Sequence, residues 1–280
     1  MALVFTAENH KYTSLDPADQ TDWVSATTFL SHFKGDFDEN QHIKSSKSRS
    51  SKWSGMDPKE ILAAWATESK RATDLGNWYH DQRESDLCSH STIRYKGFEL
   101  PVFRTPTGPD GRKISGPQKL VPGFYPEHMV FLKSAGLCGQ SDLPIVMPDN
   151  ILDISDYKSN KEIKEKSYVN WEGISKMLKA PMDHLEDCDI QHHALQLSLY
   201  MYIIIKHNPM LKPGELTINH IIFEVAGENQ YGYPITAVNQ QGDPIIKDIV
   251  YYKLPYLKRE IEVLIGWVKE NRHLLKKKKK

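Results

Sequence analysis

The chain has 280 residues, 39% of them hydrophobic, with 36 basic and 36 acidic side chains and a formal net charge of zero. That length and apolar content fit one large domain with a real core, and the neutral balance excludes a protein that binds nucleic acid by bulk charge alone. No apolar run approaches the roughly 18 residues of a membrane span, and the first ten residues lack the basic and apolar regions of a secretory signal, so a cytoplasmic protein without membrane contact is expected.

In chain order, residues 2–14 read as a short hairpin, Leu3-Val-Phe-Thr and Lys11-Tyr-Thr around Glu8-Asn-His. Ser25-Ala-Thr-Thr-Phe-Leu-Ser-His-Phe reads as a short helix capped by Ser25 or Thr27. Residues 38–55 are Ser/Lys-rich, with Lys44, Lys47, Arg49 and Lys52, and are expected to be a mobile connection or lid. Asp57-Pro-Lys-Glu60 is a helix start: Asp57 can cap, Pro58 suits the first turn, and Glu60 can close a capping box. The helical pattern persists towards Glu84, with a break expected near Gly76. Residues 104–123 are Gly/Pro-rich and read as a loop. Strands are expected over 124–132, 137–147 and 151–158, an amphipathic helix over 190–207, a strand from Leu216 to Val225, and a C-terminal helix over 245–275 with a break near Pro255. The order predicts an α/β fold, a small mixed β-sheet flanked by helices. It divides as residues 1–56 (hairpin, helix and Ser/Lys-rich segment), a main domain over 57–275, and the Lys276–Lys280 tail.

The segment Ile151-Leu-Asp-Ile-Ser-Asp-Tyr-Lys158 carries the chemistry. Side chains two apart on a strand share a face, so Leu152 and Ile154 anchor the face from which Asp156 and Lys158 project. Asp153 points the other way and is not an expected ligand. A second acid, Asp142, ends the preceding strand after Gly139-Gln-Ser, which puts it on a strand neighbouring that of Asp156. Carboxylate oxygens suit Mg²⁺ or Mn²⁺. Lys158 would orient a water or stabilise developing negative charge. Asp-x-Lys alone is a weak signal, since Asp57-Pro-Lys59 is another and reads as a helix cap.

Two helical pairs add to it. His80 and Glu84 are four apart and share a helix face; a neutral His can bind a metal, and Glu84 could orient it. Gln196 and Tyr200 are also four apart and offer amide and phenol hydrogen bonds to a nucleic acid. Cys88, Cys138 and Cys188 are isolated, which excludes a disulfide framework, a CxxC metal site and a four-cysteine iron–sulfur cluster.

The order Gly76-x-x-x-His80-x-x-x-Glu84, acid after Gly139, Asp156-Tyr-Lys158, Gln196-x-x-x-Tyr200 resembles the RecB-type branch of the PD-(D/E)xK nucleases, which includes phage exonucleases of lambda-exonuclease-like fold. The resemblance runs from about residue 73 to 205. It implies a restriction-endonuclease-like core and a metal-dependent deoxyribonuclease, a phage-type exonuclease acting in DNA replication or recombination. His80, Asp142, Asp156 and the backbone carbonyl of Tyr157 would be the ligands of one or two Mg²⁺ or Mn²⁺ ions. Lys158 would be the catalytic lysine, and Gln196 and Tyr200 would contact the DNA strand. Glu127 matches an acidic position often seen before the second strand. The family also implies DNA as partner, a single-strand annealing protein by analogy, and the host cytoplasm if phage-encoded. A structure-specific endonuclease and a non-catalytic DNA-binding recombination accessory protein stand as alternatives. No GxxxxGK[ST] motif occurs, so a fused helicase is not expected.

Overall fold

The computed structural model describes residues 2–7, 11–35, 38 and 40–275. The Glu8-Asn-His turn and the Lys276–Lys280 tail lie outside them.

Strands β1 (Leu3–Thr6) and β2 (Lys11–Ser14) pair antiparallel, as the sequence suggests. β3 (Val24–Ser25) leads into helix α1 (Ala26–Ser31), where the Ser25 side chain accepts the Thr28 amide and caps the first turn. α2 (Gln41–Lys47) follows. The stretch expected to be a loose connection is instead fastened, because Trp53 is buried against Ile61, Ala64, Trp65, Tyr231 and Tyr233. Tryptophan burial offsets the entropy that so polar a segment would otherwise keep.

α3 (Pro58–Ser89) begins where Asp57 accepts the Lys59 amide at 2.8 Å. It runs unbroken through Gly76. A side chain there would stand 3.1 Å from Ser159 Oγ, so glycine permits close approach to the strand end rather than a helix break. The unforeseen hairpin β4 (Thr92–Tyr95) and β5 (Phe98–Pro101) comes next.

The expected central strands are each cut in two. β6 (Gly123–Phe124) and β7 (His128–Leu132) are separated at Pro126-Glu127, where Glu127 has φ 54°. β8 (Leu137–Ser141) and β9 (Leu143–Val146) are separated at Asp142. Both breaks let one continuous apolar stretch serve two sheets. β7 and β8 join β3 in a three-stranded sheet, whereas β6 and β9 join β10 (Ile151–Lys158) in the main one.

α4 (Asp189–His207) crosses to β11 (Lys212–Phe223), which pairs parallel with β10. β12 (Val225–Glu228) and β13 (Pro234–Thr236) form a small hairpin, and β14 (Ile246–Leu254) returns antiparallel to β11. Helix was expected here, but it begins only beyond Pro255, with α5 (Lys258–Asn271) and a 3-10 turn over Arg272–Leu275. The β-branched and aromatic run Ile249-Val-Tyr-Tyr252 pairs along β11, and Pro255 ends it.

The fold is mixed α/β: several small sheets flanked by helices, the main one of order β14-β11-β10-β9-β6. The cores lie on its two faces. Leu152, Ile154 and Ile218 pack with α4, α5 and α1, while Tyr157, Leu143, Ile145 and Ile221 pack with Tyr79 and Leu87 of α3. Alternation along β10 therefore aims Tyr157 at α3 and its neighbours at α4. Among the described residues, no helix is long and apolar enough to cross a membrane.

Candidate metal centre

The β9–β10 register pairs Leu143 with Ser155, so one further step brings Asp142 opposite Asp156. Asp142 Oδ2 accepts the Tyr157 amide at 2.8 Å. From α3, His80 places Nε2 at 3.7 Å from Asp142 Oδ2, and its ring stands edge-on to Tyr157. Its Nδ1 lies 3.1 Å from Glu127 Oε1. His80, Glu127 and Asp142 each offer a ligand atom, all within 4.8 Å of one another.

Glu127 is fixed from both sides. Its amide donates to the Asp142 carbonyl at 2.7 Å, and Thr105 Oγ1 donates to its own carbonyl at 3.0 Å. The Gln140 amide donates to its second carboxylate oxygen. A buried glutamate held at positive φ costs backbone energy, and such costs concentrate at functional sites. Gln140 escaped the sequence reading, although alternation puts it two residues from Asp142 on the same face. With Glu127 accepting Nδ1–H, Nε2 is the ring nitrogen of His80 left to ligate once a cation displaces its proton.

Glu84 does not orient His80. It pairs with Lys113 at 2.5 Å, and Glu127 takes its place. The helical spacing was right, but Lys113 offers a full charge where His80 offers a ring already engaged. Asp156 stands outside the three-residue cluster. It is buried and ion-paired with Lys158, and its Oδ1 has no hydrogen-bond partner among the described residues. At Tyr157 the backbone amide engages Asp142.

Asp153 is buried and structural: it accepts the Glu215 amide at 2.7 Å, the Tyr95 hydroxyl at 3.0 Å and Lys96 at 2.8 Å. Gln196 donates to the Tyr200 hydroxyl at 3.2 Å. Tyr200 lies against Gly139, where a Cβ would meet its ring at 2.7 Å. The glycine before the acid thus makes room for the tyrosine.

Burial and the neighbouring Asp156 charge hold the Asp142 carboxyl well above the usual carboxylate range. Burial works against the charged form of His80. The Glu127 hydrogen bond and the Asp142, Glu127 and Asp156 charges outweigh it and raise His80 to about 9. Burial opposes the charge of Lys158 too, yet Asp156 and Asp142 raise its pKa. Fully ionised, three carboxylates against one histidine and one lysine would carry surplus negative charge, and Asp142 and His80 hold protons where a cation would otherwise offset it.

A donor set of one imidazole and clustered carboxylates fits Mg²⁺ or Mn²⁺ better than a thiolate-loving metal, and the orphaned Asp156 Oδ1 is a buried acceptor that a cation would satisfy. Two clefts meet at this point. One of about 720 Å³ is lined by His80, Glu127, Asp142, Gln196, Tyr200 and Lys113. The other, about 520 Å³, is lined by His80, Asn77, Lys158, Ser159 and Lys161.

No family model matches the chain, and no curated protein matches it. A solved structure described as the crystal structure of SSO0001 is similar over 91% of this chain and 79% of that chain, at 10% identity and a TM-score of 0.29. That likeness is too slight to carry an argument.

Proposed function

We propose that this chain is a divalent-metal-dependent deoxyribonuclease of the PD-(D/E)xK type, acting as an exonuclease. The observation that carries the reading is the cluster of half-buried His80 with buried Glu127 and Asp142, ligand atoms within 4.8 Å, beside the Asp156–Lys158 pair at the junction of two clefts. The strand pair bearing Asp142 and Asp156, the helix bearing His80, and the helix bearing Gln196 and Tyr200 together support a PD-(D/E)xK core. The exonuclease assignment rests on the order of those motifs.

His80, Asp142 and Asp156 would hold Mg²⁺ or Mn²⁺, with Glu127 orienting His80. Such an ion acidifies a water, polarises a phosphodiester and offsets charge on the leaving oxygen. Lys158 keeps its proton, because two carboxylates stabilise its charge, so it acts as an electrostatic and orienting group and not as a base. Lys161 lines the smaller cleft beside Lys158 and would add positive charge for a phosphodiester backbone, which a neutral chain must concentrate locally. Gln196 lines the wall of the larger cleft and would face the strand there, while Tyr200 is buried in the core and its hydroxyl, accepting from Gln196, positions that side chain.

Degradation of linear DNA by the purified chain with Mg²⁺ or Mn²⁺, lost in Asp156→Ala and Lys158→Ala with the fold retained, is the expected result. Full activity in either variant contradicts the mechanism. Closed circular and end-blocked DNA should resist, and their cleavage would make the protein an endonuclease on the same site. DNA binding without cleavage under any divalent metal would leave a recombination accessory protein.

A further inference from the structure

Helix α4 brings a further polar side chain to the Asp156–Lys158 pair. β10 and β11 are parallel and joined through α4, so α4 runs opposite to both and its first turns lie by the C-terminal end of β10. Leu152 and Ile154 share a core with α4, and alternation puts Asp156 and Lys158 on their side of the strand. Along α4 the buried side chains Leu197, Tyr200, Met201 and Ile204 form one stripe. His193, four residues before Leu197, carries that stripe one turn further towards the helix start.

Both ring nitrogens of His193 are closed off from solvent, and neither has a hydrogen-bond partner among the described residues. The neighbouring histidines are committed elsewhere. His192 Nε2 lies 2.7 Å from Asp187 Oδ1. His220, opposite Lys158 in the β10–β11 register, has Nε2 2.7 Å from the Asn160 carbonyl. A buried ring with both nitrogens unbonded is costly, and such a group calls for an explanation in the site it faces. Burial and the nearby Lys158 charge both favour the neutral ring, which keeps one lone pair.

Lys158 supplies the partner. Its ammonium is ion-paired with Asp156 Oδ2, and both side chains are buried. A divalent cation on Asp156 competes with that ammonium for one carboxylate, and the two positive charges repel. A buried ammonium released from its carboxylate needs another acceptor, or its release is prohibitive.

We propose that His193 is a positioning residue for Lys158: its ring lone pair accepts the Lys158 ammonium when a divalent cation occupies Asp156. The inference rests on the metal-site reading above and adds to it the residue that lets cation and lysine work side by side. Held by His193, the ammonium stands beside Asp156 rather than on it, and its charge stays on the smaller cleft that Lys158 lines.

The test is a double-mutant cycle read by isothermal titration of the full chain with Mn²⁺ alone, without DNA. His193→Leu should weaken Mn²⁺ binding on the order of tenfold, because Lys158 then stays on Asp156. His193→Gln keeps an oxygen that accepts a hydrogen bond, and should bind within about threefold of the wild type. In a Lys158→Met background there is no ammonium to receive, so His193→Leu should change the affinity less than about twofold. Equal losses in both backgrounds would make His193 a structural residue and overturn the proposal, as would unchanged affinity in His193→Leu. A second measurement needs no change at His193. In imidazole nitrogen NMR of the wild type, saturating Mg²⁺ should shift the unprotonated nitrogen of His193 as it begins to accept a hydrogen bond, and the shift should vanish in Lys158→Met. The same shift in Lys158→Met, or none in the wild type, overturns the proposal and leaves the metal site standing. No Mn²⁺ binding by the wild type overturns the metal-site reading and the proposal with it. Coupled binding by a protein that cuts no DNA upholds the proposal and overturns the nuclease reading alone.

Discussion

Asp142 Oδ2 accepts the backbone amide of Tyr157 at 2.8 Å. That bond ties the acid ending one strand to the strand that carries Asp156 and Lys158, so the carboxylates are positioned by sheet register rather than by flexible side chains. Buried like-charged groups so placed are costly without a cation. The cost is visible in the raised pKa of both Asp142 and His80.

A stability consequence follows. Asp142 and His80 bind protons more tightly in the folded than in the unfolded chain, so each contributes stability at low pH that is lost as pH rises through its folded pKa. For His80 the window runs from about 6.5 to about 9. Without divalent metal, the Tm should fall between pH 6.5 and 9, and Asp142→Asn should flatten the fall. Added Mn²⁺ should raise the Tm most at the high-pH end, because binding displaces those protons. Thermal melts across pH with EDTA and with Mn²⁺ check this; an apo protein stabilised by rising pH would contradict it.

Glu84 and Glu127 should separate cleanly. Glu127→Gln removes the carboxylate on His80 and should weaken Mn²⁺ binding about 10- to 100-fold. Glu84→Gln disturbs only the Lys113 pair and should change it less than about threefold. Isothermal titration with Mn²⁺ distinguishes the two. Equal losses would show that Glu84 does reach the metal.

The Gly139–Tyr200 contact predicts a packing defect. Gly139→Ala pushes a methyl to 2.7 Å from the tyrosine ring. The expected cost is about 1–3 kcal/mol in urea unfolding. Gly139→Ala combined with Tyr200→Leu should recover part of it.

Trp53 anchors the Ser/Lys-rich segment. Trp53→Ala should cost about 3–5 kcal/mol if that segment unfolds with the rest, as for other buried tryptophans. Hydrogen exchange over 41–53 in the wild-type chain should show protection, where a mobile lid would show none.

Much of the site was legible because its logic is local. The alternation of Ile151–Lys158 follows from the strand period, the i, i+4 pairs from the helix period, and the cap at Asp57 from its immediate neighbours. What was not legible depends on partners distant in sequence. Glu84 has the right spacing from His80, yet Lys113 takes it. Glu127 lies 47 residues from His80, and its positive φ has no sequence signature. Ile246–Leu254 reads from the sequence as part of a C-terminal helix, yet it pairs as a strand because β11 presents an edge to it. Asp142 and Glu127 sit at breaks in apolar runs, where the chain changes sheets.

The central claim is tested most directly by incubating linear duplex DNA with the purified chain over a Mg²⁺ and Mn²⁺ titration and measuring released nucleotides, beside Asp142→Asn of verified fold. Metal-dependent release by the wild type, reduced at least a hundredfold in the variant, is the expected result. No release at any metal concentration, or equal release by Asp142→Asn, would contradict a nuclease centred on His80, Asp142 and Asp156.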